Sequence, residues 1–275
     1  MPKILIGFTL FLFTIGATSA QELPIFDGHV HYSQNSWDTL SPAEAEERMK
    51  RANVNWALVS SSPDAGTLML FKQMPKRVVP ELRPYHDNVN SSNWVDAPDI
   101  TKYLKNHLET GIYKGIGEFH LHGTSIYNPE VLSTVAKLAQ DREILLHVHA
   151  GAEQITRLFE LSPNITILWA HVGFEDSTDL INDMMKKFPK LYSELSFRAS
   201  DVDAGGGEVT PEWRALFDAY PERFIVGTDT YIAPQWQRYE SLVQEHRDWL
   251  KTLPRPLAEK IAWRNAVKLF NIEDQ

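Results

Sequence analysis

Short apolar runs recur along the chain, and each is followed by a stretch in which apolar residues return at helical spacing. The apolar runs read as strands at 24–28 (PIFDG), 54–60 (VNWALVS), 77–81 (RVVPE), 115–119 (GIGEF), 144–149 (ILLHVH), 165–170 (ITILWA), 191–196 (LYSELS) and 224–229 (FIVGTD). Helices are expected near 42–52, 64–73, 99–109, 129–141, 152–161, 177–187, 211–219 and 235–251, with a last one from about 256 to 269. Their starts are marked. Ser41-Pro42-Ala43-Glu44 has the form of a capping box with proline at the first helical position, and Asn128-Pro129-Glu130 and Thr210-Pro211-Glu212 repeat the device. Eight strand–helix alternations point to an α/β protein, a single (β/α)8 TIM barrel. A doubly wound open sheet is the alternative, but no G-x-G-x-x-G follows the first strand, which removes the usual dinucleotide signature.

Residues 1–20 stand apart from this pattern. One charge, Lys3, precedes an apolar run from Ile4 to Ile15, and the segment ends in small residues, Ala17-Thr18-Ser19-Ala20. That is the form of a secretory signal peptide, and the run is short for a membrane span. The reading is therefore an exported protein, periplasmic or secreted. Residues 1–20 are its signal peptide, 21–275 are one barrel domain, and no stable membrane association follows signal removal. The formal charge of −9 argues against a general nucleic-acid or anionic-membrane surface. A small-molecule substrate is the expected partner, and a homo-oligomer is compatible with the sequence. The chain has no cysteine, so no disulfide supports it and any metal has only nitrogen and oxygen ligands.

Polar residues gather at the C-terminal ends of the strands, where barrel enzymes place their chemistry. Strand 1 runs into Asp27-Gly28-His29-Val30-His31, and side chains two apart on a strand share a face. Glu118 ends strand 4, His149 strand 5 and Asp229 strand 8, while His171 follows strand 6. Each alone has an ordinary structural explanation. Four histidines and two carboxylates converging on one barrel end do not, because barrel interiors prefer Val, Ile and Leu. Neutral imidazole with carboxylate suits zinc or another first-row divalent ion. His147, two residues before His149, would lie roughly 6–7 Å deeper in the barrel and is read as a support beneath the site.

These residues lie in motifs that resemble the amidohydrolase superfamily of metal-dependent TIM-barrel hydrolases. The motifs are FDGHVH, GIGEF, LHVHAG, WAHVG and FIVGTDTY, with AEKIAWRNAVKLFNI at the C-terminal end, and the likeness spans about residues 24 to 272. It is closest to the branch of small amidohydrolases, lactonases and some non-oxidative decarboxylases. The resemblance implies that His29, His31, His149 and Asp229 hold a first metal, with His171 as a second-metal ligand or a substrate-polarising group. Two-metal members often carry a carboxylated lysine at the end of strand 4. Glu118 stands there in this chain, as a glutamate does in metal-dependent deoxyribonucleases, and Lys114 lies before the strand. One tightly held divalent metal is expected, zinc foremost, with Glu118 allowing a second.

The implied activity is hydrolysis of a small amide, ester, lactone or related bond by a metal-activated water. Asp229 is the expected general base, returning the proton to the leaving group, with His171 as its catalytic partner. Specificity is expected from the loops. Tyr32 and Trp37 follow strand 1, His120 and His122 follow strand 4, Arg198 follows strand 7 and Tyr231 follows strand 8. Arg198 could hold a substrate carboxylate or phosphate, or equally form a salt bridge with Asp201 or Glu194. Gly205–Gly207 could hinge a lid or simply be an exposed loop. Two other functions stay open: a metal-dependent decarboxylase of a carboxylated ring, and an inactive metal- or ligand-binding barrel.

Overall fold

In the computed structural model, eight parallel strands follow one another in chain order around one sheet. They are β1 Ile25–Val30, β2 Val54–Val59, β3 Val78–Leu82, β4 Gly115–His120, β5 Leu145–His149, β6 Ile167–Trp169, β7 Leu191–Glu194 and β8 Phe224–Ile225. Past β8 the chain returns to β1: Gly28 N donates to Val226 O at 2.8 Å and His31 N to Thr230 O at 3.0 Å. The barrel read from the apolar pattern is the fold observed. The structure describes residues 22–123, 128–203 and 205–272, so the signal peptide expected at 1–20 lies outside the described residues. No helix among the described residues is long and apolar enough to cross a membrane.

Local signals place the helices. The Ser41 capping box forms, with Ser41 Oγ accepting from Glu44 N and the Glu44 carboxylate accepting from Ser41 N. Asn128 and Thr210 make only the first half of the device, accepting from Val131 N and Trp213 N at the starts of Pro129–Asp141 and Pro211–Ala219. The helix expected at 235–251 is divided at Arg238 into Ala233–Gln237 and Tyr239–Leu250.

The barrel is apolar at its N-terminal end and polar at the other. Phe26, Leu58, Val79, Leu145, Leu168 and Ile225 pack with Ala266, Val267 and Phe270 of the closing helical segment, and the Phe26 and Phe270 rings stack at 5.5 Å. This plug fixes the strand bases so that the opposite ends can carry polar groups in register. Left-handed backbone follows several of the strands. After β6, His171 (φ 55°) and Val172 (φ 49°) take left-handed values, and after β8 Asp229 does so (φ 46°). A β-branched residue at positive φ is strained, and such strain persists only where the surroundings fix it. Here Glu194 Oε1 accepts His171 N at 2.7 Å, and Arg198 Nη1 donates to Phe174 O at 2.8 Å and Val172 O at 3.4 Å. Gly117 serves the same region. It sits at φ 145°, and a Cβ there would run into the His147 carbonyl oxygen.

Candidate metal centre

His29 and His31, from β1 and the residue just past it, meet Asp229 at the barrel mouth. The two Nε2 atoms are 3.0 Å apart, and Asp229 Oδ1 is 3.4 Å from His29 Nε2 and 3.1 Å from His31 Nε2. The far nitrogens are already committed. His29 Nδ1 is 3.0 Å from Glu194 Oε1, and His31 Nδ1 donates to the Ser60 carbonyl. With protons on Nδ1, both Nε2 atoms present lone pairs to each other and to a carboxylate oxygen. Three acceptors converging in a buried place repel unless a cation stands between them. Asp229 Oδ1 has no hydrogen-bond donor among the described residues.

A second group lies beside the first. Glu118 Oε1 is 2.9 Å from His149 Nδ1 and 3.6 Å from His171 Nε2. His171 Nδ1 donates to Ser196 Oγ at 2.7 Å, whose hydroxyl donates on to Glu194 Oε1 at 2.9 Å. That chain leaves His171 Nε2 as a buried acceptor with no donor. The other Glu118 oxygen, Oε2, faces the first group, 3.5 Å from His29 Nε2 and 3.3 Å from His31 Nε2. It also accepts from Arg83 Nη2 at 2.9 Å. Glu118 thus turns one oxygen to each group. His149, expected with His29, His31 and Asp229, stands instead with Glu118 and His171. The reason is its depth: it ends β5 level with His120 on β4, where its Nδ1 reaches back to Glu118 and its ring lies 4.7 Å from that of His171.

Glu194 also lies within ligand distance of His29 and His171, but its oxygens are taken up by N–H and O–H donors. Fixing the protonated nitrogen of a ligating histidine is the work such a carboxylate does in metal sites. His147 sits beneath the centre. Its Nδ1 is 3.0 Å from Glu81 Oε2, both side chains are fully buried, and its ring packs edge-on against His29 at 4.5 Å.

The electrostatics point the same way. Burial opposes ionisation of Glu118, yet His29 and the hydrogen bond from His149 hold its carboxyl well below the usual range. Asp229 is also held low, with His29 and His31 overcoming burial. His29 is pushed up although burial opposes its charge, because Asp229, Glu118 and Glu194 surround it. Three buried carboxylates thus call for positive charge in their midst. A divalent ion among imidazoles and carboxylates supplies it, and the donor set fits one.

Above the centre opens a cleft of about 420 Å³, lined by ligand side chains together with Arg83, His120, Phe174, Phe197 and Tyr231. Of the residues expected at the substrate, His120 and Tyr231 line it. Tyr32 and Trp37 do not; they build the strand 1 loop. The Tyr32 hydroxyl donates to Leu40 O at 2.5 Å and its ring packs against Trp236, while Trp37 Nε1 donates to Tyr32 O at 3.0 Å. His122 is exposed at the rim, its ring 5.4 Å from that of His120. Arg198 takes the salt-bridge alternative. Its Nε is 2.7 Å from Asp201, and its Nη atoms hold the carbonyls of Val172, Phe174 and Asp176, so the guanidinium braces the strained turn rather than facing the cleft. Arg83, Tyr85, Ser60, Phe174 and Phe197 were not foreseen. Arg83 could have been found, since it follows β3 two residues after Glu81 and shares its parity.

The fold and site together define an eight-stranded parallel barrel with a histidine–carboxylate centre at its strand ends. The amidohydrolase family model matches residues 26–272, and the chain belongs to that family. No curated protein matches it. Solved structures share the fold at low identity. A probable 2-pyrone-4,6-dicarboxylic acid hydrolase from Acinetobacter baumannii, with citric acid bound, is 13% identical with a TM-score of 0.63 over 90% of this chain and 100% of that one. Dihydroorotase from Campylobacter jejuni is 16% identical at 0.60, over 93% and 86%. A 5-carboxyvanillate decarboxylase from Novosphingobium aromaticivorans, complexed with manganese and a nitrobenzoic acid, is 11% identical at 0.62, over 90% and 96%.

Proposed function

We propose that the protein is a metal-dependent hydrolase of a small amide, ester or lactone, acting in the cleft above the strand ends. One observation carries the reading: Glu118 turns one carboxylate oxygen to His29, His31 and Asp229 and the other to His149 and His171. This donor set would hold one or two first-row divalent ions, zinc or manganese among them. Such an ion supplies Lewis acidity and hydroxide at neutral pH.

The chain's own residues do the remaining work. Asp229, ionised at neutral pH and held by His29 and His31, accepts the proton of the attacking water and returns it to the leaving group. Its backbone is fixed for the task, since Asp229 N donates to His29 O at 2.7 Å. Glu194 and Ser196 keep the protons of His29 and His171 on the nitrogens facing away from the cleft. Phe174 and Phe197, each 46% exposed at the mouth, offer apolar faces to the non-reacting part of a substrate. Export after loss of residues 1–20 belongs to the same proposal.

Decarboxylation is the second reading. Arg83 on the cleft wall and the two phenyl rings suit a carboxylated ring, and the likeness to a manganese-bound 5-carboxyvanillate decarboxylase supports it. A single screen separates the two. Metal-loaded protein is offered lactones, amides, phosphoesters and aromatic carboxylates in ¹⁸O-labelled water. Label entering the organic product marks hydrolysis, and carbon dioxide release with no label in the organic product marks decarboxylation. Full activity in metal-free protein, or no turnover across the panel with metal bound, would end the reading.

A further inference from the structure

Beside the metal donors, the cleft wall carries a polar pair with a different character: His120, at the end of β4, and Tyr85, beyond β3. The Tyr85 side chain is buried, and its hydroxyl accepts the backbone N–H of His120 at 2.9 Å. The same oxygen lies 2.9 Å from His120 Nδ1. A phenol has one proton to give, and a buried hydroxyl gives it to an acceptor. His120 Nδ1 is that acceptor, so the imidazole proton sits on Nε2.

The ring is also fixed in place. Trp94 Nε1 donates to the His120 carbonyl at 2.9 Å, and the His120 ring stacks on His149 at 4.3 Å and 22°. Its Nε2 is 3.9 Å from Glu118 Oε1, too far for a hydrogen bond. The side chain is 19% exposed and lines the cleft. The result is an oriented N–H donor in the cleft with no acceptor at hydrogen-bonding distance among the described residues. Arg83, whose guanidinium carbon lies 4.7 Å over the Tyr85 ring, puts a cation on the same wall.

We propose that His120 Nε2–H binds a carbonyl or carboxylate oxygen of the substrate, and that Tyr85 is the positioning residue that sets this tautomer. The proposal rests on the reading of the cleft as the substrate site. A donor fixed beforehand stabilises an oxygen with full or growing negative charge without reorganising. The substrate class is then a small acyl compound or acid that presents such an oxygen near the second ligand group, with an apolar portion against Phe174 and Phe197.

The test is nuclear magnetic resonance on zinc-loaded protein with ¹⁵N-histidine, using benzoate as the probe and assigning His120 by its loss in His120→Gln. The wild type is expected to show the Nε2–H tautomer, and Tyr85→Phe a shift toward Nδ1–H. Benzoate should move the His120 Nε2 resonance. His120→Leu should weaken benzoate binding about tenfold, the size of one lost hydrogen bond to a charged group, while His120→Gln, which keeps a donor near Nε2, should stay within about threefold. A wild-type Nδ1–H tautomer, a pattern unchanged by Tyr85→Phe, or benzoate binding unaffected by His120→Leu would overturn the proposal. None of these readings needs turnover, so failure of the hydrolase reading in the substrate screen would be seen separately.

Discussion

The two ligand groups of the centre differ in how much of each is fixed before any ion arrives. In the first, His29 and His31 are each 1% exposed and each has its far nitrogen anchored, to Glu194 and to the Ser60 carbonyl. In the second, the His149 side chain is 31% exposed, and its hydrogen bond is to Glu118, a ligand itself. The first is thus pre-organised by groups outside the two ligand sets, as His171 of the second is by Ser196, whereas His149 completes the second at the open side of the cleft. Glu118 couples them, and Arg83 on its Oε2 draws electron density from the oxygen facing the first group. The difference teaches that one barrel end can offer a permanent site and an adjustable one with similar side chains, the supports deciding which is which.

The largest effect should come from Asp229, which reaches both groups: Oδ1 lies 3.1 Å from His31, and Oδ2 3.8 Å from His171. Asp229→Asn should fold normally, because asparagine tolerates the left-handed backbone found there (φ 46°). Turnover on the substrate found by screening should fall about 10³-fold, the scale of a lost general base. Wild-type kcat in a folded, metal-loaded variant would move the proton carrier elsewhere.

The next effect tests the inequality directly. His29→Ala takes from the buried Glu194 the Nδ1–H it accepts and should lower stability by about 3 kcal/mol. It should also lose the tightly held metal. His149→Ala sits at the open side, should change stability by less than about 1 kcal/mol, and should keep the tight equivalent while losing any weaker one. Elemental analysis after dialysis, beside urea denaturation, measures both. Equal metal loss in the two variants would mean that the groups are not distinct.

Much of this was legible in the sequence, and the limits have physical causes. The barrel could be read because each strand is an apolar run and several helix starts carry their own cap, both local signals. Candidate ligands could be read because His29, His31, Glu118, His149 and Asp229 stand at strand ends and His171 just past one. Their division into two groups could not. It depends on which side chains adjacent strands bring level, and β4 and β5 pair His120 with His149. For Arg198 the sequence allows an anion anchor and a salt bridge equally, because nothing in it shows that the turn after β6 is strained and needs its carbonyls held. Tyr85 and Glu194 act through hydrogen bonds to residues of other strands and turns, such as His120 and His29, and spacing carries no trace of those.

The last effect, absent at neutral pH and read only as a slope, concerns the backing of the first group. His246, on the helix Tyr239–Leu250, is buried behind β8, where its Nε2 donates to Gly227 O at 2.8 Å. Burial holds its pKa down at about 4, against 6.5 for the free side chain. Between these values the unfolded chain binds the proton and the folded one does not. The stability it contributes is therefore full above about pH 6.5 and is lost as pH falls toward 4, by about 3 kcal/mol in all. Asp27 works against it. Burial pushes its carboxyl up to about 6, so its contribution falls as pH rises from about 4 to 6. The two slopes oppose, and the wild type should show a shallow profile across that range. His246→Gln keeps a donor for Gly227 and removes one slope. Its stability relative to wild type should therefore rise as pH is lowered from 7 to 4, while Asp27 alone tilts its own profile the other way. Urea denaturation of both proteins at half-unit steps reads the difference. A difference that stays constant across that range would mean that His246 does not stay neutral in the fold, and that the first group is backed by charge rather than by a neutral wall.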